Sequence, residues 1–169
     1  MIIEKETEML FFRFNNYRKY SFYKEHLSII NEKGCVWMLK VGKRSSMDKL
    51  TTIAEHGGWL VLRSPKSDGS KSYLAKYTKV IESTPTDACY PAYYQEVINE
   101  ITDTDQYYMR APSFQWFRII SIEPLDNNVC ESLVVSKTGK KVDEVIKTTR
   151  TAVMFIKNDA PIELSWGVK

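Results

Sequence analysis

Histidine and cysteine are scarce in this chain, and that scarcity removes whole classes of chemistry. Two histidines, His26 and His56, stand among 169 residues. That is too few for a multi-histidine metal site and a poor basis for a Ser-His-Asp triad. The three cysteines, Cys35, Cys89 and Cys130, are odd in number, far apart and never in a C-x-x-C pair, which argues against a disulfide framework or a zinc site. The phosphate-binding loop G-x-x-x-x-G-K-[ST], the dinucleotide fingerprint G-x-G-x-x-G and the nucleophile elbow G-x-S-x-G are all missing. No stretch approaches the roughly 18 apolar residues of a membrane span. The opening residues MIIEKETEML carry charge within five positions and no apolar run of signal-peptide length. The expected compartment is a reducing cytoplasm. Internal repeats, low-complexity tracts and long linkers are absent too. Neither sign of charge dominates: the net charge of +3 neither demands nor excludes nucleic acid, so the distribution of cations matters more than their sum.

What is present is an ordinary globular composition with an aromatic surplus. The hydrophobic fraction is 43% and the charged fraction 27%, and a chain of this length reads as one domain able to bury its own core. Ten tyrosines and four tryptophans exceed what a core alone usually needs. Large flat side chains beyond that need go to interfaces and base-stacking surfaces.

Residues 9–14 (MLFFRF) read as a strand. Ser21 is a candidate N-cap for a helix over 22–30, which Gly34 stops. Residues 35–41 (CVWMLKV) are extended. Ser46 precedes a helix over 47–56, ended by Gly57-Gly58. A strand at 59–63 (WLVLR), a turn at 65–70 and a returning strand at 73–81 make a β-hairpin. A short helix is expected at 92–101, a polar loop at 102–113, and a central strand at 114–122 (FQWFRIISI). An extended segment at 127–135, a turn at 137–140, one or two helical turns at 141–147 and a last strand at 151–156 complete the order. The expected fold is α+β: a twisted mixed sheet of five to six strands, curled towards an open barrel, with flanking helices. The domain is expected at 9–160, between an N-terminal extension of 1–8 and a tail of 161–169.

The single residues with chemical potential have plain alternatives. His26 lies on the apolar side of its helix and reads as a residue without a chemical role. His56 reads as a cation at a helix C-terminus, favoured by the dipole. Cys35, beside an apolar strand, reads as a small buried hydrophobe. Asp87, Glu96 and Glu100, with Lys76 or Lys79 nearby, would assemble a magnesium-dependent nuclease on paper. Their spacing matches no metal-nuclease pattern, and Glu96 and Glu100 read as the solvated face of a helix. The Tyr-rich stretch 90–108 is a packed loop or a protein-interaction surface.

Several segments, taken in order, resemble the PUA-like superfamily and, within it, the EVE and YTH domains. They are Leu10-Phe11-Phe12-Arg13-Phe14 followed by Asn15-Asn16; Gly34-Cys35-Val36-Trp37 after a helix, followed by a basic stretch and a helix with Asp48 and Leu50; and Trp59-Leu60-Val61-Leu62 with Tyr73-Leu74-Ala75-Lys76-Tyr77. Trp116-Phe117-Arg118-Ile119-Ile120-Ser121-Ile122 is similar to the late W-x-x-V-x-V strand of both families. Val142-Asp143-Glu144-Val145 leading to Arg150-Thr151-Ala152-Val153 looks like the EVE terminus. Met38 departs from the small polar residue that often follows the YTH cage tryptophan.

The resemblance implies a nucleic-acid-binding module that reads a modified or flipped base in RNA or DNA. It implies an aromatic pocket walled by Trp37, with Tyr90, Tyr93, Tyr94, Tyr107 and Tyr108 as candidates for further walls, and no metal or organic cofactor. Stacking and Watson–Crick-edge hydrogen bonds would grip the base, with Asn15 or Asn16 as the reading amide. Without the resemblance, Trp37 in an apolar strand reads as core, as do Trp59 and Trp116, and Asn15-Asn16 as a strand-ending turn. Arg13, Arg18, Lys19, Lys40, Lys43 and Arg44 are expected to fringe the pocket for phosphates. Lys137, Lys140, Lys141, Lys147 and Arg150 form a second basic group.

Overall fold

A computed structural model describes residues 1–105 and 113–165. The strands are β1 (Ile2–Ile3), β2 (Glu8–Arg13), β3 (Val36–Gly42), β4 (Trp59–Arg63), β5 (Ser72–Ile81), β6 (Ser113–Leu125), β7 (Leu133–Val135), β8 (Val153–Asn158) and β9 (Ile162–Glu163). The α-helices are α1 (Phe22–Lys33), α2 (Met47–Glu55), α3 (Tyr93–Asp105) and α4 (Val142–Thr148). Seven strands form one mixed sheet in the order β3-β6-β5-β4-β2-β8-β7, and β1 pairs with β9 beside it. The α+β class expected from the sequence is what the chain adopts. The sheet has more strands than expected and is not a closed barrel, because β3 and β7 end the strand order without pairing to each other. No helix among the described residues is long and apolar enough to cross a membrane.

The helix boundaries follow from capping chemistry. Ser21 Oγ accepts from Lys24 N at 3.3 Å and Ser46 Oγ accepts from Lys49 N at 3.3 Å, each satisfying a donor that the first helical turn leaves unpaired. Gly34, at φ +86°, ends α1 by donating its N–H to Ile30 O. Helix α1 therefore runs a turn past the expected Ile30. Around residues 127–135, a short 3-10 turn at Val129–Ser132 replaces the first part of the expected extended segment.

The faces of the sheet follow the two-residue alternation of its strands. Leu10, Leu60, Leu62, Ala75, Met38 and Ile119 pack with Phe22, Leu50 and Ile53 of α1 and α2. Met9, Phe11, Val61 and Leu74 pack with Val142 of α4. Trp37, Leu39 and Trp116 pack with Tyr93 and Tyr94 of α3.

One pairing matters for function. Strands β2 and β4 are parallel, with Arg13 opposite Arg63, while every other pairing in the sheet is antiparallel. Both strands therefore deliver an arginine to the same face at the same carboxyl end.

Candidate functional site

At that end of the sheet lies a cleft of about 620 Å³, lined in part by Arg13, Asn15, Arg63, Lys66, Asp143, Lys147 and Arg150. Five of these side chains are basic and one is acidic. The floor is the most constrained part. Arg63 is 8% exposed. Its Nε donates to Ser72 Oγ at 2.8 Å, and Ser72 Oγ donates in turn to Asn127 Oδ1 at 2.6 Å. One Arg63 terminal nitrogen stands 3.5 Å from Asp143 Oδ1, too long for a tight ion pair. A buried guanidinium with a single loosely held carboxylate is a strong site for a second anion. Arg13 is oriented from the side, its Nη1 donating to Thr149 O at 2.9 Å beyond the end of α4. Lys147 belongs to α4, Arg150 follows it, and Lys66 comes from the turn after β4. All three sit nearer solvent.

A larger cleft of about 750 Å³ lies where α2 meets β8, beside Ile53, Met154 and Phe155. Its charges oppose one another, Glu8 and Asp48 against Lys49 and Lys137. It therefore has no preference for an anion.

The structure divides the residues singled out in the sequence. Arg13, Asn15, Lys147 and Arg150 converge on the basic cleft. Lys40, Lys43 and Arg44 do not. Lys40 lies in β3 and Lys43 and Arg44 follow it, and β3 is separated from β2 by β6, β5 and β4, about 19 Å along the sheet at the usual strand spacing. Lys40 is buried, its Nζ donating to Lys43 O at 2.5 Å and Gln115 Oε1 at 3.3 Å, and burial pushes its pKa down. Arg44 makes a two-pronged contact with Glu82, at 2.7 and 2.9 Å. Arg18 pairs with Glu100. In the second basic group, Lys141 pairs with Asp159, while Lys137 and Lys140 line other clefts.

The expected aromatic pocket is also rearranged. Trp37, Tyr90, Tyr93 and Tyr94 do come together, but as a packed cluster with Trp116 beneath α3. Trp37 is 6% exposed and lines none of the four clefts that stand out among the described residues. Its indole N–H donates to Asp87 Oδ2 at 3.2 Å. In place of an open cage there is a packed cluster that includes Tyr93 and Tyr94 of α3. Neither asparagine faces it. Asn15 lines the basic cleft. Asn16 Oδ1 accepts from Phe22 N at 2.9 Å, at the start of α1. Tyr107 and Tyr108 lie outside the described residues.

Two carboxylates of the nuclease alternative are engaged elsewhere: Asp87 with Trp37 and Cys89 N, Glu100 with Arg18. Lys76 lies over the Trp59 ring. Among the described residues no group of three or more His, Cys, Asp or Glu side chains is placed to hold a metal.

Arg63 and Lys66 were not singled out in the sequence. The available signal was that both strands end on an arginine within two residues of a polar or turn residue, Arg13-Phe14-Asn15 and Arg63-Ser64-Pro65. That signal means nothing until the strands are known to be parallel neighbours in register. No protein-family model, curated protein or solved structure matches this chain.

Proposed function

We propose that the chain is a nucleic-acid-binding module whose basic cleft grips the phosphates of a single strand. The observation that carries this reading is the convergence of Arg13, Arg63, Lys66, Lys147 and Arg150 around one carboxylate, on a body whose net charge is only +3. Cations concentrated in a concave site on a nearly neutral surface favour a phosphate ligand over general attraction to any polyanion. The cleft is narrow for a duplex and roomy for a nucleotide or two, since small-ligand sites run to roughly 300–1,000 Å³. The resemblance to PUA-like domains of EVE and YTH type supports the same class of ligand. In this reading Arg63 and Arg13 hold one phosphate at the floor, Lys66, Lys147 and Arg150 meet its neighbours, and Asn15 offers an amide to the sugar or base. Binding does not depend on a cage at Trp37.

The test is salt-dependent binding of a fluorescent single-stranded oligonucleotide. Affinity falls as salt rises, with a slope of about −0.7 per phosphate contacted. Arg150→Ala and Lys147→Ala, both at exposed positions, each weaken binding and flatten that slope by about 0.7 while leaving thermal stability unchanged. Unaltered affinity in the double variant overturns the assignment.

A further inference from the structure

We propose that the tight turn between Tyr17 and Tyr20 is a base-stacking platform for the strand whose phosphates lie in the cleft, with Tyr20 as the ring that a base covers. This rests on the cleft being the phosphate site.

The turn is built to hold two aromatic rings still. Tyr17 and Tyr20 exchange backbone hydrogen bonds at 3.2 and 2.8 Å. The reversal between them is made possible by Arg18 at φ +51°, a left-handed conformation that a non-glycine side chain adopts only at a cost. Both rings stack on Tyr93 at the start of α3, at centroid distances of 5.6 and 5.3 Å and interplanar angles of 10° and 15°. Tyr93 is itself buried, so the two rings rest on a rigid base. The ion pair of Arg18 with Glu100 ties the tip of the turn to the same helix. Asn16 anchors its near end to α1.

The two rings differ in what they leave open. The Tyr17 hydroxyl is buried with Glu100 beside it, which marks Tyr17 as the anchor. Tyr20 is half-buried, and among the described residues the only cation over its ring is its neighbour Lys19, at 5.5 Å. An exposed lysine resting on a tyrosine face is a weak, exchangeable contact. A base can take its place and release the ammonium to a phosphate.

Position supplies the link to the cleft. Asn15 lines the cleft, and Tyr17 follows two residues later, within roughly 7 Å of chain. A strand leaving the cleft past Asn15 meets the turn next. Stacking on an aromatic face tolerates any base, so the platform adds affinity without adding sequence preference.

The experiment compares a short oligothymidylate with an oligomer of the same length made of abasic sugar-phosphate units. Both present the same phosphates, and only one can stack. The wild-type chain is expected to bind the oligothymidylate about ten-fold more tightly. Tyr20→Ala brings the ratio close to one while abasic binding stays as it was. Tyr20→Trp restores the ratio and controls for any loosening of the turn by the alanine. A wild-type ratio near one overturns the platform and leaves the cleft standing. A high ratio that survives Tyr20→Ala overturns it as well. Failure of both oligomers to bind removes the cleft reading, and the platform with it.

Discussion

His26 shows how much a single buried side chain can commit. It is fully buried on α1 and faces Tyr94 of α3. Its Nδ1 stands 2.7 Å from Phe22 O and its Nε2 2.6 Å from the Tyr94 hydroxyl. A carbonyl oxygen only accepts, so Nδ1 carries the proton, and Nε2 accepts from Tyr94. This neutral tautomer satisfies both ring nitrogens, and protonation would force the Tyr94 hydroxyl to turn its proton away and would place a charge in a buried site. Burial accordingly pushes the pKa down, from 6.5 to about 4. The unfolded chain therefore takes up the proton first as pH falls. The stabilisation is fully present above pH 6.5 and is lost as pH drops towards 4, amounting to about 3 kcal/mol. Urea unfolding at a series of pH values should show that loss in the wild-type chain and a flatter profile in His26→Gln. Equal slopes would show that the imidazole does not titrate on unfolding. A role for His26 beyond an apolar helix face was illegible in the sequence, because Tyr94 is 68 residues away.

Among the elements, the junction of α2, β4 and β5 has the least room for substitution. Gly58 sits at φ +65°, where a side chain is strained, and a Cβ there would fall 2.0 Å from Tyr77 O. The Gly58 N–H donates to Ile53 O at 2.8 Å, closing α2, and Tyr77 N donates to Gly58 O at 2.9 Å. The register of β5 against β6 shifts at the same point, around Tyr77. Gly58 thus ends a helix and admits an irregularity in the neighbouring strand at once. Gly58→Ala should cost at least about 2 kcal/mol, measured as a lowered urea midpoint with an unchanged slope. Gly57-Gly58 was legible as a helix stop because helices commonly end on a left-handed glycine. The close approach of Tyr77 was not, since it depends on the β4–β5 pairing.

At the scale of the whole molecule, the chain concentrates its protection in the middle of the sheet. Strand β5 is flanked by β4 and β6 and carries buried Tyr73, Leu74, Ala75 and Tyr77. The ladder of β1 with β9 is two residues long. Hydrogen exchange should therefore be slowest in β4, β5 and β6, with amides there opening only on global unfolding. The β1–β9 amides should exchange far sooner, although Ile3 and Ile162 are themselves buried. Uniform exchange across these strands would contradict a single cooperative centre. Charge has the same uneven layout: a modest total of +3 hides a cleft with five cations and one carboxylate.

The α+β class, the capping serines Ser21 and Ser46, the glycine stops and the hairpin of β4 with β5 were set by local chemistry. Each depends on residues a few positions apart, where backbone sterics and side-chain caps act directly. The parallel pairing of β2 with β4 depends on contacts about 50 residues apart, and only the tertiary structure decided it. That pairing places Arg63 beside Arg13, while three intervening strands carry Lys40 and its neighbours away and Trp37 is buried in the cluster with Trp116, Tyr93 and Tyr94. Which cations share a cleft and which aromatics stay open are matters of strand order, and periodicity along the chain carries no record of strand order.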